Sequence, residues 1–375
     1  MPNFNKIDPE FLTQVKVQST NKTICLVMLN NLNDYIYLTD CQILYKFPFI
    51  NAVGIKTAHQ NILNLSSKSY IKYISSVKKA SVYIDKAKKQ IENNVIKPLN
   101  LTGKGTTVAV IDTGCSMHLD LVLGKNRIIK FVDFINNKKT AYDDNGHGTF
   151  VCGVLGGNGV CSNTKYCGIA PSCNIIALKA LNSEGETQVF TILNAMQWVI
   201  DNKQKYNIDI VCMSFGSQPL NQNDPLVVGA DVLWDNGIVV VCAAGNDGAN
   251  NTVKSPAVSS KVISVGSCFY NNNQIKIAEF SSSGNYEGVI KPEILAPGVN
   301  ITGLGVLKNY VTMSGTSVSA PMVAGAVSLM LQKDKNLAPN QVKHILKTAC
   351  VQKAVDAQGY NIGVLNLANA ISLIS

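Results

Sequence analysis

Long apolar runs are missing from this 375-residue chain: none approaches the 18 or more residues that a membrane-spanning helix needs. The opening "MPNFNKIDPEFLTQ" lacks a basic stretch followed by an apolar core, so it does not read as a secretory signal. Cysteine pairs at the C-x2-C spacing of zinc sites are also absent; Cys161, Cys167 and Cys173 are instead separated by five residues each. The eleven cysteines are an odd number without the spacing of a secreted disulfide scaffold. Cys115, Cys152, Cys212 and Cys242 read as small buried side chains. No internal repeat or low-complexity tract occurs. Charge is scarce, at 15% of residues against 46% hydrophobic, which excludes a disordered chain and allows a substantial core. Together these absences predict a soluble, cytoplasmic protein with free thiols and no membrane partner.

The charge that is present is unevenly distributed. The first 100 residues hold 13 lysines and 6 acidic residues, a net of +7, while the rest hold 20 basic and 18 acidic residues, a net of +2. Even around Lys78–Lys79 and Lys88–Lys89 no dense basic stripe with aromatic or groove-reading elements forms, so nucleic acid is not an expected partner.

Two styles of sequence meet near residue 100. Before it, "KTICLVML", "CQILYKFPF", "NAVGIKTA" and "VKKASVYI" read as short strands and "NILNLSSKSYIKYI" as a helix, predicting a small α+β domain. The polar stretch "DKAKKQIENN" leads into Pro98 as a linker, so the expected domains are 1–97 and 98–375. After it, "TTVAVID", "NIIALKAL", "IDIVCMSF", "GIVVVCAAG" and "KVISVGS" are near-continuous apolar runs, as strands buried on both faces require. Between them, "TQVFTILNAMQWVIDNKQKY" and "DPLVVGADVLWDNG" have helical spacing. The alternation predicts an α/β fold with a doubly wound, mostly parallel sheet and helices on both faces, binding ligands at the strands' C-terminal ends.

Candidate residues fall at those ends. Asp112 closes "VAVID" and precedes Thr113–Gly114, where an acid serves either as a turn residue or in chemistry. His147 lies in "DDNGHGTFVCGVLGG" between two glycines, which let backbone approach a substrate closely. The other histidines, His59, His118 and His344, read as surface or packing residues. Asn246 ends "VVVCAAGND" as a turn residue or as an amide donor to a developing oxyanion. Among the hydroxyls of "TMSGTSVSAPMVAG", Ser317 stands at the N-terminus of an Ala- and Gly-rich helix, where the dipole favours negative charge. Pro321 is expected in that helix's first turn, and Ser314 and Thr316 as turn and cap residues. Ser317 is the candidate nucleophile.

The order Asp…His…Ser, each in its own glycine-flanked motif, resembles the subtilisin (subtilase) family of serine endopeptidases. The resemblance rests on "VAVIDTG", "NGHGTFVCG", "MSFGS", "AAGNDG" and "GTSVSAPMVAG" and covers roughly residues 101–370. It implies peptide-bond hydrolysis with Asp112 as orienter, His147 as general base, Ser317 as nucleophile and Asn246 as oxyanion donor. It implies a pocket for the residue before the scissile bond, walled by Ser214, Phe215, Gly216, Ala243, Ala244 and Gly245. Lys254 would close its far end, where relatives often have Gly, and an ammonium there would favour an acidic residue. The N-terminal segment is similar in pattern to the family's inhibitory propeptide, implying a zymogen that cuts itself within roughly residues 84–100. The mechanism requires no cofactor; relatives often bind calcium, but no ligands for it are assignable in the sequence.

Phe150 and Met322 depart from the histidines many relatives carry there, and Val318–Ser319 departs from the usual pair. None of these carries a role in the triad. A catalytically silent relative is the rival from another class, and the intact triad speaks against it. A serine esterase would show a G-x-S-x-G elbow, which is absent around Ser317.

Overall fold

Thr107–Asp112 (TVAVID) is buried at every position. Successive side chains of a strand point to opposite faces, so both faces of its sheet are covered. The computed structural model describes residues 2–17, 22–47, 51–76, 99–219, 224–271, 274–286, 288–306 and 309–374. The chain divides into two compact units, Met1–Ser81 and Val82–Ser375. The expected boundary at 97/98 and the expected strand "VKKASVYI" lie outside the described residues.

In the first unit, β1 (Lys22–Leu29), β2 (Gln42–Phe47), β3 (Ala52–Ala58) and β4 (Ile71–Ser76) form an antiparallel sheet in the order β2-β3-β1-β4. Cys25, Val27 and Leu29 alternate into a core shared with Phe11, Val15, Ile62 and Leu65 of α1 (Pro9–Val17) and α2 (His59–Ser66). Helix α1 was not expected, although Asp8–Pro9 is a helix-start signature: Asp8 Oδ1 accepts from Phe11 N at 3.0 Å. The stretch "NILNLSSKSYIKYI", expected as one helix, is instead the end of α2 followed by β4. The Ser66 and Ser67 hydroxyls donate to Leu63 O and Asn64 O, both at 2.7 Å, and occupy the helix's last carbonyls. The residues beyond pair with β1, and that tertiary pairing overrides the helical spacing.

The second unit has β5 (Thr107–Asp112), β6 (Ile128–Asp133), β7 (Asn174–Lys179), β8 (Ile210–Met213), β9 (Val239–Ala243), β10 (Ile263–Asn271) and β11 (Gln274–Ile277). After the pair β12 (Gly284–Tyr286) and β13 (Val289–Lys291) come β14 (Ile294–Pro297), the hairpin β15 (Ile301–Leu304) and β16 (Tyr310–Met313), then β17 (Lys353–Val355) and β18 (Asn361–Val364). Ten strands make one sheet, ordered β17-β18-β14-β10-β9-β8-β5-β7-β6, with β11 beside β10. All its pairs are parallel except β17–β18 and β10–β11. The chain leaves β5 for β6 and β7 on one side, then crosses to β8, β9 and β10 on the other. Strand order therefore reverses at β5, the kind of point where open α/β sheets bind ligands.

The helices of the unit include α3 (His147–Gly156), α4 (Val189–Tyr206), α5 (Pro225–Asp235), α6 (Thr316–Lys333), α7 (Pro339–Ala349) and α8 (Leu367–Ser372). Helix α6 packs on β8, β9, β10 and β14 and against α3. There Gly325 lies so close that an added Cβ would stand 3.3 Å from Leu155 O and closer still to Ile169. Pro321 lies inside α6 beyond its first turn, not within it as expected, because the helix already begins at Thr316. Its missing N–H is the one that would have reached the Ser317 carbonyl.

Candidate active site

Asp112 ends β5 and is buried, with Oδ1 accepting from Thr113 N at 2.7 Å and lying 2.8 Å from His147 Nδ1. His147 opens α3 with its side chain 28% exposed. Burial works to lower the imidazole's pKa, but the hydrogen-bonded Asp112 carboxylate, helped by Asp143, outweighs it and holds the group above the ordinary histidine value. With Nδ1 engaged by a carboxylate, Nε2 is the nitrogen left to exchange a proton.

A second buried carboxylate fixes the two segments that carry this pair. Asp143 accepts from Gly146 N, Thr149 N and Thr149 Oγ1 at 2.7–2.8 Å and from Thr113 Oγ1 at 2.9 Å. Thr113 Oγ1 in turn accepts from Gly148 N at 2.9 Å. Burial acts to raise the Asp143 pKa, but these donors prevail and hold it below the usual carboxylate value. The flanking glycines, expected to admit a substrate, serve the protein's own backbone. Gly146 caps α3 at φ +104°, and Gly148 packs its α-carbon against Gly114, where a Cβ would stand 3.0 Å from Gly114 N.

Ser317 is the second residue of α6, partly exposed. Asn246 follows β9, and its side-chain oxygen accepts from Thr316 N at 2.9 Å and Thr316 Oγ1 at 3.1 Å. Asn246 and Ser317 both border Gly315. A Cβ built on Gly315 would lie 3.1 Å from Ser317 Oγ and 3.4 Å from Asn246 Nδ2. Among the described residues no hydrogen bond joins Ser317 Oγ to the imidazole. Such contacts in free enzymes commonly tighten only when substrate binds.

The expected pocket residues also meet. Ser217 and Ser255 exchange backbone hydrogen bonds at 3.0 and 2.9 Å, and Lys254 N donates to Ala244 O at 2.9 Å. This ties the segments after β8 and β9 to the one holding Lys254. Its stem passes between Gly216 and Gly245, whose added Cβ atoms would stand 3.2 and 2.7 Å from Lys254 Cγ. The side chain is only 14% exposed, and its ammonium pairs with Asp247. The sequence reading did not single out Thr113, Asp143, Thr149 or Asp247; their one sequence signal was adjacency to the motifs. It expected Thr316 as a turn or cap residue, whereas Gly315 caps α6 and Thr316 is the helix's first residue, holding Asn246.

All eleven cysteines are free. Burial pushes Cys173 and Cys212 up to about 12, and hydrogen bonding to Cys115, then burial, raises Cys152, so these thiols are inert at neutral pH. Phe150 and Met322 are fully buried. Among the described residues no group of three or more His, Cys, Asp or Glu side chains is placed to hold a metal ion, and no helix is long and apolar enough to cross a membrane.

The profile of the subtilase family matches residues 103–363. The chain belongs to the subtilase family. This subtilase is 41% identical over 300 residues to serine protease AprX of Bacillus subtilis (strain 168), covering 72% of this chain and 67% of that one. It is 31% identical over 284 residues to subtilisin DY of Bacillus licheniformis, covering 75% and 96%. Among solved structures it is similar to a cold-adapted subtilisin-like serine proteinase, with a TM-score of 0.61 and 29% identity over 71% of this chain and 90% of that one. The protein is a subtilisin-like serine endopeptidase acting on protein or peptide substrates. Membership of the subtilases implies an Asp-His-Ser triad.

Proposed function

We propose that Ser317 is the nucleophile of this endopeptidase, His147 its general base and Asp112 the group that holds the imidazole tautomer. The carrying observation is the 2.8 Å contact between Asp112 Oδ1 and His147 Nδ1, which leaves Nε2 to take the Ser317 proton. Ser317 Oγ attacks the peptide carbonyl as its proton passes to Nε2. The imidazolium then returns that proton to the leaving amine, and water repeats the sequence to release the acyl group. Asn246 Nδ2 and the Ser317 N–H receive the oxyanion; loss of such a side-chain donor costs about 10²–10³ in kcat. This chemistry requires no metal or organic cofactor.

Three further readings belong with this proposal. Residues 1–97 act as an inhibitory pro-domain that the enzyme removes from itself, a reading supported by the first unit's own sheet and core. The protein works in the cytoplasm, which eleven free thiols favour. Lys254 gives the pocket walled by Ser214–Gly216 and Ala243–Gly245 a preference for an acidic residue, with a substrate carboxylate competing against Asp247 for the ammonium.

A serine-directed phosphonylating reagent, diisopropyl fluorophosphate, tests the core of the reading. Mass spectrometry should find one adduct, on Ser317, with proteolysis lost in parallel, and Ser317→Ala should neither label nor cleave. Near-full proteolysis by Ser317→Ala would overturn the assignment.

A further inference from the structure

Lys179 ends β7 directly beside Asp112 in the β5–β7 register, and its side chain is fully buried. An ammonium has three N–H donors, and here each has its own acceptor. Nζ donates to Thr113 O at 2.6 Å, to Leu181 O at 2.9 Å and to Asp144 Oδ1 at 2.6 Å. The three acceptors belong to different segments. Thr113 follows Asp112 and Asp144 precedes His147 by three residues. Leu181 lies in the strand exit whose Ala180 and Leu181 N–H groups donate to the Asp112 carbonyl at 2.9 and 3.2 Å. The Tyr142 ring centroid lies 5.2 Å from the ammonium.

We infer that Lys179 is a positioning residue for peptide hydrolysis: its ammonium holds the turn after Asp112 in register with the loop before His147. The inference rests on the roles proposed above for Asp112, His147 and Ser317. Taking an ammonium out of water is costly, and an apolar side chain of similar length often serves stability as well or better. What an apolar side chain does not supply is three directed bonds joining the segments that carry the carboxylate and the imidazole. A misplacement of about 1 Å between reacting groups costs on the order of 10² in rate, so a clamp at this point acts on turnover. None of its three acceptors belongs to the pocket walled by Ser214–Gly216 and Ala243–Gly245, so it acts little on binding there.

The test measures kcat and KM for full-length protein and its processed form, normalised to sites titrated with diisopropyl fluorophosphate, with thermal midpoints recorded in parallel. Lys179→Met should lower kcat per titrated site by about 10²-fold with KM within about twofold. Asp144 is 37% exposed and outside the core, so Asp144→Ala folds even if Lys179→Met does not. It should lower kcat by about tenfold, Asp144→Asn should recover most of that loss by keeping an acceptor, and the double variant should be no slower than Lys179→Met alone. Lowered thermal midpoints with kcat per titrated site unchanged in Asp144→Ala, or in a folded Lys179→Met, would overturn the inference and leave the proposed triad standing. Failure of the wild type to react with the reagent would overturn both.

Discussion

His147 carries a pH signature that follows from its surroundings. Its pKa is held above the ordinary histidine value of about 6.5 because the Asp112 carboxylate outweighs burial. Only the neutral imidazole accepts the serine proton, so kcat/KM should fall as pH drops through that raised value. The acid limb of the pH–rate profile is thus expected above 6.5 by the direction of the shift. Asp112→Asn should move it downward while lowering turnover by three to four orders of magnitude, roughly the loss known for triad proteases. An acid limb unmoved in Asp112→Asn would mean that His147 is not the titrating base. Lys254 makes a second statement at this scale. Its stem fills the space between Gly216 and Gly245, and Asp247 neutralises its charge. Lys254→Gly should turn a preference for acidic residues before the scissile bond into one for large apolar residues. Asp247→Asn should sharpen the acidic preference by freeing the ammonium. Peptide-library cleavage reads both; equal preference for one large apolar residue in wild type and Lys254→Gly would remove Lys254 from the pocket.

Elements in this molecule are joined by buried ions as well as by apolar packing. Glu293, just before β14, accepts from Ser264 N at 2.9 Å and from Lys343 Nζ of α7 at 2.8 Å, and it pairs with the fully buried Lys291 of β13. Lys343 also donates to the carbonyls of Ser260, Lys261 and Val262 at 2.8–3.0 Å. Burial lowers the Lys291 pKa to about 8 against the pull of Glu293. Glu293→Gln strands two ammonium groups with no carboxylate and should cost about 3–5 kcal/mol, whereas Lys291→Met leaves Glu293 paired and should cost far less. Urea unfolding in the Ser317→Ala background, where self-digestion is removed, compares the two; equal losses would show that the carboxylate is not the hub. A buried cation also closes α3: Arg127 donates to Gly156 O at the helix's C-terminal end and to Asp120 O. That anchor fixes the far end of the helix that His147 begins.

At the scale of the whole molecule, the first unit has a core and a sheet of its own, distinct from those of the second. On the pro-domain reading, wild-type chain should cut itself within roughly residues 84–100 during incubation, while Ser317→Ala remains full length. Intact mass measured over time decides between them. A wild type that stays uncut while reacting with the phosphonylating reagent would make the first unit a retained domain.

The sequence by itself determined the α/β class, because near-continuous Val/Ile runs such as "TTVAVID" and "GIVVVCAAG" are stable only when covered on both faces. It also determined the candidates Asp112, His147, Asn246 and Ser317, since each ends a strand or starts a helix within a glycine-marked motif. It misread "NILNLSSKSYIKYI" as one helix, because pairing of Ile71–Ser76 with β1 is a long-range fact that local spacing does not carry. Only the tertiary structure decided which side chains hold the candidates in place. Asp143 is one of several acids in the sequence until five donors converge on it. Lys179 is one more residue of an apolar strand until Thr113, Asp144 and Leu181 arrive around its ammonium. Strand and helix are written in a period of two or 3.6 residues, which a short window of sequence reveals. A buried polar network is assembled from segments tens of residues apart, and its members acquire roles only through the neighbours that the fold brings to them.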